Sequence, residues 1–169
     1  MKTPRVPGYK VANRADRKGG RRGGGLLTYI KDIVAFEKGS MSSTRGTEVT
    51  SIRVRLTKST WTTISNVYVP PHNTTGEAVA FIPDHIPTPS DAIITGDFNA
   101  HSPLWDEIQP ADSRGEDIEA WTMLQELAIM NNSGDCYNNA LDHNALIINC
   151  FTELHNVLII VSNSTLSYV

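Results

Sequence analysis

Apolar and polar side chains alternate along two neighbouring segments in the first half of the chain. In residues 52–56, three apolar side chains alternate with two arginines, which is the period of a β-strand with one buried face. A second segment runs from about Trp61 to Val69 and ends at Pro70-Pro71, because proline cannot donate to a β-ladder. The polar residues 57–60 between them are typical of a turn, so the pattern predicts a β-hairpin.

Other apolar runs predict further strands. The uninterrupted run at residues 92–95, bounded by an aspartate and a glycine, is typical of a short buried strand. Apolar residues within 26–36 follow three consecutive glycines and predict a strand that leaves a turn. Later in the chain the pattern weakens, and the short apolar runs at 146–148 and 157–161 are consistent with strands.

One helix is predicted in the second half of the chain. Ser113 and Glu116 have the spacing of a capping box, in which two side chains satisfy free backbone N–H groups at the start of a helix. Apolar residues then recur at helical spacing from Ile118 to about Met130. Strands and helix are mixed without a regular alternation, so the patterns alone predict an α/β or α+β fold.

Length and composition favour one globular domain. A chain of 169 residues with 40% hydrophobic and 20% charged residues is ordinary for a globular protein. No window reaches the roughly 18–20 uninterrupted apolar residues of a membrane span, and the first residues lack the apolar region of a secretory signal. Cys136 and Cys150 are therefore expected to be free thiols, although pairing stays open. The histidines and cysteines lack the ligand-pair spacing of a zinc site.

Charge is divided unevenly along the chain. Residues 1–58 hold 14 Lys/Arg and 4 Asp/Glu, whereas residues 59–169 hold 14 Asp/Glu and a single cation, Arg114. Residues 1–25 are rich in glycine and arginine, lack periodicity and predict a loop or an arm. The basic run Arg17–Arg22 has two interpretations, a solvated loop or a segment that binds nucleic-acid phosphates by counterion release.

A polar cluster directly follows the predicted strand at 92–95. Asp97, Asn99 and His101 occupy alternate positions and would share one side of a continued extended backbone. A carboxylate can orient a water and an amide can donate to a phosphate oxygen, so these residue types suit phosphodiester hydrolysis. The alternative is a local turn in which Asp97 acts as a cap and Asn99 makes a local hydrogen bond.

The second candidate segment is Asn66–Pro71. Asn66 and Tyr68 lie on one face of the predicted strand, opposite Val67 and Val69. A tyrosine hydroxyl at a strand end can hydrogen-bond a scissile phosphate. The alternative is an aromatic side chain that packs at the edge of a sheet.

In chain order, these segments form a pattern known from one family. The strings are GGGLLTYI, NVYVPP, IITGDFNAHSPLW and then DSRG before a helix. They resemble the apurinic-site-endonuclease-like domain of non-LTR, jockey-like retrotransposons, which is part of the DNase-I-like endonuclease/exonuclease/phosphatase superfamily. GDFNAHSPLW is far more specific than a bare Asp-x-Asn and favours this branch over phosphoinositide or sphingolipid phosphodiesterases.

The resemblance implies a fold and an activity. The fold would be a four-layer αββα sandwich of the α/β type, with two β-sheets face to face and helices outside. The activity would be a Mg²⁺-dependent endonuclease that nicks target DNA and primes reverse transcription, linked to an RNA-directed DNA polymerase. DNA is the implied partner, with no membrane and no small-molecule cofactor, and the location would be intracellular and nuclear for a functional copy.

The resemblance also assigns roles to the candidate residues. Tyr68 would support the scissile phosphate, Asp97 would orient or activate the attacking water, and Asn99 would contact the phosphate and the transition state. His101 would be a supporting residue that contacts the substrate. The metal ligand is not assigned, because the family's metal-binding Glu would precede Pro7, and Asp142-His143 is a weak candidate for its phosphate-binding histidine.

These departures lead us to expect a domain that is incomplete at both ends. We predict a basic, glycine-rich segment at 1–25, a partial endonuclease domain at 26–132 and a divergent tail at 133–169. Two hypotheses follow, an endonuclease domain with impaired activity and an inactive remnant that binds nucleic acid weakly. The presence or absence of a metal-binding Glu before Pro7 distinguishes these two hypotheses.

The impairment is testable by plasmid nicking. We expect the chain, supplied with Mg²⁺ and supercoiled plasmid, to nick no faster than its Asp97→Ala variant. Loss of two phosphate or metal contacts slows hydrolysis by orders of magnitude, since each factor of ten needs only about 1.4 kcal/mol. Mg²⁺-dependent nicking that disappears in Asp97→Ala would show that another acid replaces the missing Glu.

Overall fold

The structure is a computed structural model that describes residues 3–16, 25–44, 47–71, 81–105, 110–130, 145–148, 153–154 and 157–161. The basic run at 17–22, both cysteines and Asp142-His143 lie outside these residues. The described chain contains one α-helix, α1 (Ser113–Leu124), and a short 3-10 turn at Pro83–His85. Its strands are β1 (Tyr9–Asp16), β2 (Gly25–Lys31), β3 (Phe36–Ser43), β4 (Glu48–Arg55), β5 (Trp61–Tyr68), β6 (Ala92–Asp97), β7 (Ala128–Ile129), β8 (Ala145–Ile148), β9 (Glu153–Leu154) and β10 (Val157–Val161).

The strands form two sheets. The first has four strands in the order β1-β2-β10-β9, and the second has six in the order β3-β4-β5-β6-β8-β7. In the second sheet, β3, β4 and β5 pair antiparallel, whereas β5, β6, β8 and β7 pair parallel. The sheet is therefore mixed, and the change from antiparallel to parallel pairing falls at β5.

Two cores hold three layers together. Between the sheets, Ala12 and Ile30 of the first sheet pack against isoleucines and a valine of the second. On the other face of the second sheet, Ile118 and Trp121 of α1 pack against a cluster that includes Val67. The alternation of side chains along each strand thus sends one set toward the partner sheet and the other toward the helix. No helix in the described part of the chain is long and apolar enough to cross a membrane.

Much of the predicted architecture is confirmed. The fold is an α/β sandwich of two face-to-face sheets with a helix outside, as the resemblance implies. The predicted hairpin at 52–69 corresponds to β4 and β5, and the apolar run at 92–95 lies within β6. The runs at 146–148 and 157–161 form strands, which pair with β6 and β2 respectively.

Two expectations about local structure were wrong at the N-terminal side. Residues 9–16 were expected to be loop, but they form β1, which pairs antiparallel with β2. Residues 26–36 are not one element, because β2 ends at Lys31 and β3 begins at Phe36 in the other sheet. Pairing with a neighbouring strand stabilises β1 and β3, and this tertiary contribution leaves no strong periodicity in the sequence.

The helix is also shorter than predicted, and it begins differently. Asp112, rather than Ser113, is the N-cap, and its Oδ1 accepts a hydrogen bond of 2.6 Å from the Gly115 amide. The helix ends at Leu124 instead of near Met130, because Glu126 takes a left-handed conformation with φ of 53°. A left-handed residue is a common way to stop a helix and redirect the chain, here toward β7.

The pairing of β5 with β6 depends on a glycine. A Cβ atom at Gly96 would lie 1.8 Å from the Val67 carbonyl oxygen, which belongs to the backbone of β5. Any side chain at this position would push the two strands apart. Gly96 therefore permits the close parallel contact that places the ends of β5 and β6 side by side.

We expect Gly96→Ala to lower the free energy of unfolding by about 3 kcal/mol or more, because the clash is with backbone and cannot relax by a rotamer change. Urea unfolding followed by circular dichroism measures it. Gly8→Ala is the control, since Gly8 has φ of 79° and no heavy atom within 4 Å of an added Cβ. That control should cost only about 1–2 kcal/mol, and equal losses for the two variants would refute the steric argument.

Candidate active site

Three rows of side chains cross β4, β5 and β6 on the face that meets the other sheet. The first row is apolar and consists of Ile52, Ile64 and Ile93. The next row is polar and consists of Thr50, Asn66 and Thr95. The last row consists of Glu48, Tyr68 and Asp97. Polarity therefore increases from the middle of the sandwich toward the carboxyl ends of the parallel strands, where α/β proteins usually bind ligands.

The polar second row is buried between the sheets. Asn66 is only 1% exposed, and its Nδ2 lies 3.4 Å from Thr28 Oγ1 on β2, close to the limit for a hydrogen bond. Within the described residues, Thr50 Oγ1 and Asn66 Oδ1 find no hydrogen-bond partner. Unsatisfied buried polar atoms cost free energy, so the fold tolerates an expensive polar layer directly behind the candidate site.

Tyr68 and Asp97 lie side by side at the end of the sheet. They are register partners on adjacent parallel strands, and the Val69 amide donates to the Asp97 carbonyl oxygen at 2.8 Å. Neighbouring strands are about 4.8 Å apart, so the two side chains share one small region. Tyr68 is 1% exposed, whereas Asp97 is partly exposed. The carboxylate, not the phenol, is thus the group that solvent or substrate reaches first.

The chain turns sharply after β6. Asn99 has φ of 47°, in the left-handed region that few residues other than glycine, asparagine and aspartate adopt. Its amide donates to Asp97 Oδ1 at 3.1 Å, and its side-chain Nδ2 donates to the Val69 carbonyl oxygen at 2.9 Å. Of the two interpretations of this segment, the structure shows the local turn rather than a continued extended backbone, because these local hydrogen bonds favour a turn. The turn nevertheless keeps Asn99 next to both Asp97 and the end of β5.

His101 is placed differently from the other three candidates. Its side chain is exposed, beyond the turn, and its carbonyl oxygen accepts a hydrogen bond of 3.0 Å from the Asp112 amide. A Cβ at Gly115 would lie 1.9 Å from the same oxygen, so the loop and the start of α1 are in tight contact. The structure therefore brings Tyr68, Asp97 and Asn99 together and puts His101 at the periphery.

Arg114 underlies this loop. It is 2% exposed, and its Nη1 donates to the carbonyl oxygens of Phe98 and Asn99 at 3.1 and 2.7 Å. Burial lowers the pKa of the Arg114 guanidinium, whereas the neighbouring carboxylates of Asp112 and Asp97 raise it. A buried cation thus sits directly behind the candidate residues.

Burial shifts the titration of Asp97. Desolvation raises the pKa of its carboxyl above the ordinary aspartate value, while hydrogen bonds from Asn99 and the positive charge of Arg114 oppose the rise. A carboxylate with a raised pKa is a stronger base than an exposed one, which suits proton transfer near neutral pH. Asp97 is therefore the best candidate for a general base among the described residues.

The described residues do not fit a complete metal site. No group of three or more histidine, cysteine, aspartate or glutamate side chains among them is arranged to hold a metal ion. Mg²⁺ prefers several oxygen ligands in near-octahedral geometry, and Asp97 supplies one carboxylate.

Comparison with known protein families gives a match to the endonuclease-reverse transcriptase family over residues 62–148, just over half of the chain. The chain belongs to the endonuclease-reverse transcriptase family. No curated protein and no solved structure shows detectable similarity to it. The match confirms the expectation of an endonuclease/exonuclease/phosphatase-type domain.

The endonuclease-reverse transcriptase match covers every candidate side chain. It includes Tyr68, Asp97, Asn99 and His101, and it also includes Arg114. It continues to residue 148, beyond residue 132, where the string resemblance ends. The catalytic roles of the four candidates stay predictions.

Sequence patterns missed two members of this region. Glu48 shares the last row with Tyr68 and Asp97, but only the register of β4 with β5 reveals this. Arg114 did carry a signal, because it is the single cation within residues 59–169. A lone cation among 14 acids is expected to have a specific partner, and here the partners are the carbonyl groups of the loop.

The raised pKa of Asp97 predicts that Asp97→Asn stabilises the protein by an amount that depends on pH. Because the folded protein binds this proton more tightly than the unfolded chain, the ionised carboxylate destabilises the fold above the folded-state pKa, and the cost disappears as pH falls. We therefore expect Asp97→Asn to melt at a higher temperature than the wild type at pH 7, with a smaller difference at about pH 4.

The control is Asp91→Asn, which removes an exposed carboxylate just before the same strand. Thermal melts of the three proteins at both pH values separate a local effect from the change in net charge. Two results would contradict the assignment of this destabilisation to the Asp97 carboxylate. One is an equal rise in melting temperature in the control variant, and the other is a rise from Asp97→Asn that becomes larger as pH falls.

Proposed function

We propose that this chain is a DNA endonuclease domain of the kind found in non-LTR retrotransposons, with an impaired form of the phosphodiester hydrolysis that provides a primer for reverse transcription. Its site of action would be genomic DNA in the nucleus. The observation that carries the proposal is the convergence of Tyr68, Asp97 and Asn99 at the carboxyl ends of two parallel strands. The family match supports the same class of chemistry.

In this proposal Asp97 acts on the attacking water. Its partly exposed carboxylate accepts a proton from the water as the oxygen attacks phosphorus, and the bond from phosphorus to the leaving 3′ oxygen breaks. Solvent supplies the proton that the leaving oxygen takes up. The Asp97 side chain needs no large rearrangement for this role, because the Asn99 amide already fixes the position of one of its carboxylate oxygens.

Asn99 and Tyr68 support the same step in different ways. The Asn99 side chain hydrogen-bonds to Asp97 and to the Val69 carbonyl group, and it is the proposed donor to a phosphate oxygen. Tyr68 is buried beside Asp97, so it supports the phosphate site from the interior of the sandwich rather than from the side that faces solvent.

The second candidate function is weak nucleic-acid binding without catalysis. It is favoured by the charge division, since residues 1–58 carry 14 Lys/Arg against 4 Asp/Glu. Binding of this kind depends on phosphate contacts and falls steeply with added salt. It needs no contact with Asp97, and this difference separates the two candidates.

A short DNA duplex titrated into isotope-labelled protein tests the choice. We expect saturable NMR shift changes at the amides of Asn99 and Val69, since both lie at the proposed phosphate site. The expected affinity is at least fivefold lower for Asn99→Ala than for wild type at the same salt concentration, which corresponds to about 1 kcal/mol.

Lys58→Ala is the matched control, because Lys58 is an exposed cation in the hairpin turn at the opposite end of β5. It should weaken binding only slightly and in a salt-dependent manner. Shift changes confined to residues remote from Asn99, with equal affinities for Asn99→Ala and wild type, would refute the endonuclease site and favour the second candidate.

A further inference from the structure

The loop that follows β6 is held from one side by the start of α1. Arg114 Nη1 donates to two consecutive carbonyl oxygens, those of Phe98 and Asn99, at 3.1 and 2.7 Å. The Asp112 amide donates to the His101 carbonyl oxygen at 3.0 Å. Gly115 lies so close to that oxygen that a Cβ would be 1.9 Å from it. The loop is therefore fixed by backbone contacts that only a few residue types permit.

A buried arginine is an expensive way to make such contacts. Arg114 is 2% exposed, and a charge taken out of water costs several kcal/mol unless hydrogen bonds and opposite charges compensate it. An apolar side chain of similar length would fill the same volume without that cost. The expense suggests that the guanidinium does something besides packing.

Two features of the surroundings of Arg114 indicate this additional role of the guanidinium. Asn99 occupies a left-handed conformation, with φ of 47°, that costs roughly 1 kcal/mol or more for a residue with a side chain. A hydrogen bond to the carbonyl group of that same residue stabilises the conformation. Arg114 also places a positive charge near Asp97, and the other titratable groups that face the guanidinium are Asp112 at the N-cap of α1 and Tyr68 on β5.

We propose that Arg114 is the positioning residue of the candidate site. It holds the carbonyl groups of Phe98 and Asn99 so that the Asn99 amide stays on the Asp97 carboxylate, and its positive charge favours the ionised form of that carboxylate. Its relevance to catalysis rests on the endonuclease function proposed above. The hydrogen bonds and the charge of Arg114 do not depend on that function, so both roles are tested without a nuclease assay.

Three variants of the full chain separate geometry from charge. Arg114→Met removes both the charge and the two hydrogen bonds, and Arg114→Lys retains the charge but loses the planar donor group. Arg53→Met is the matched control, because Arg53 is an exposed cation whose ion pair with Glu37 lies away from the loop. Circular dichroism first checks that each variant folds.

Two NMR measurements then read the site. A ¹³C titration follows the Asp97 carboxyl, and amide hydrogen exchange compares Asn99 with Val69, whose amide donates to the Asp97 carbonyl oxygen at the end of the β5–β6 pair. We expect Arg114→Met to raise the pKa of Asp97 and to speed exchange at Asn99 by about tenfold or more, with little change at Val69. Arg114→Lys should speed exchange at Asn99 but leave the Asp97 titration closer to wild type.

The outcomes decide the proposal. Equal acceleration at Asn99 and Val69 would mean that Arg114 only stabilises the fold, and an unchanged Asp97 titration in Arg114→Met would overturn the electrostatic role. The same titration shift in Arg53→Met would assign the effect to net charge. If Arg114→Met does not fold, Arg114→Lys alone decides the positioning role through exchange at Asn99. A nuclease-inactive protein gives the same answers, so failure here is distinct from failure of the proposed function.

Discussion

The parallel contact between β5 and β6 is the constraint on which the site depends. It is close because Gly96 has no side chain, and it aligns Tyr68 with Asp97. The Asp97 carbonyl oxygen then accepts from the Val69 amide, which extends the pairing to the last residue of the strand. Every other group in the region, from Asn99 to Arg114, is arranged around strand ends that this contact sets.

The sandwich changes character along its length. Near its middle, isoleucines from three adjacent strands pack against the other sheet, and this apolar row provides stability. One step further the side chains are polar and buried, and at the end they include carboxylates. A polar layer behind a half-buried carboxylate costs stability, and burial of that carboxylate raises the pKa of Asp97 by excluding water. The same exclusion of water that makes the end of the sandwich less stable makes it better suited to proton transfer.

The sequence predicted which face of a strand each side chain occupies better than it predicted which residues of different strands lie side by side. Period-2 alternation showed that Asn66 and Tyr68 lie opposite Val67, and the structure agrees. The pattern gave no register between strands, so the place of Glu48 in the row with Tyr68 was not predictable from one chain. The sequence offered the turn at Asn99 only as an alternative to an extended backbone, and it could not decide between the two because the left-handed conformation depends on contacts with Val69 and Arg114.

The division of charge acquires a structural meaning at Arg114. In residues 59–169 the acids outnumber the cations by 14 to 1, and a solvated surface gives no reason for the single cation to be buried. It is buried where two carboxylates, those of Asp97 and Asp112, and two loop carbonyl groups converge. If stability were the only requirement, an apolar residue in this place would cost less than a desolvated guanidinium. The buried charge is better explained by the half-buried carboxylate of Asp97 beside it, because a nearby cation favours the ionised form of a carboxylate that water only partly hydrates.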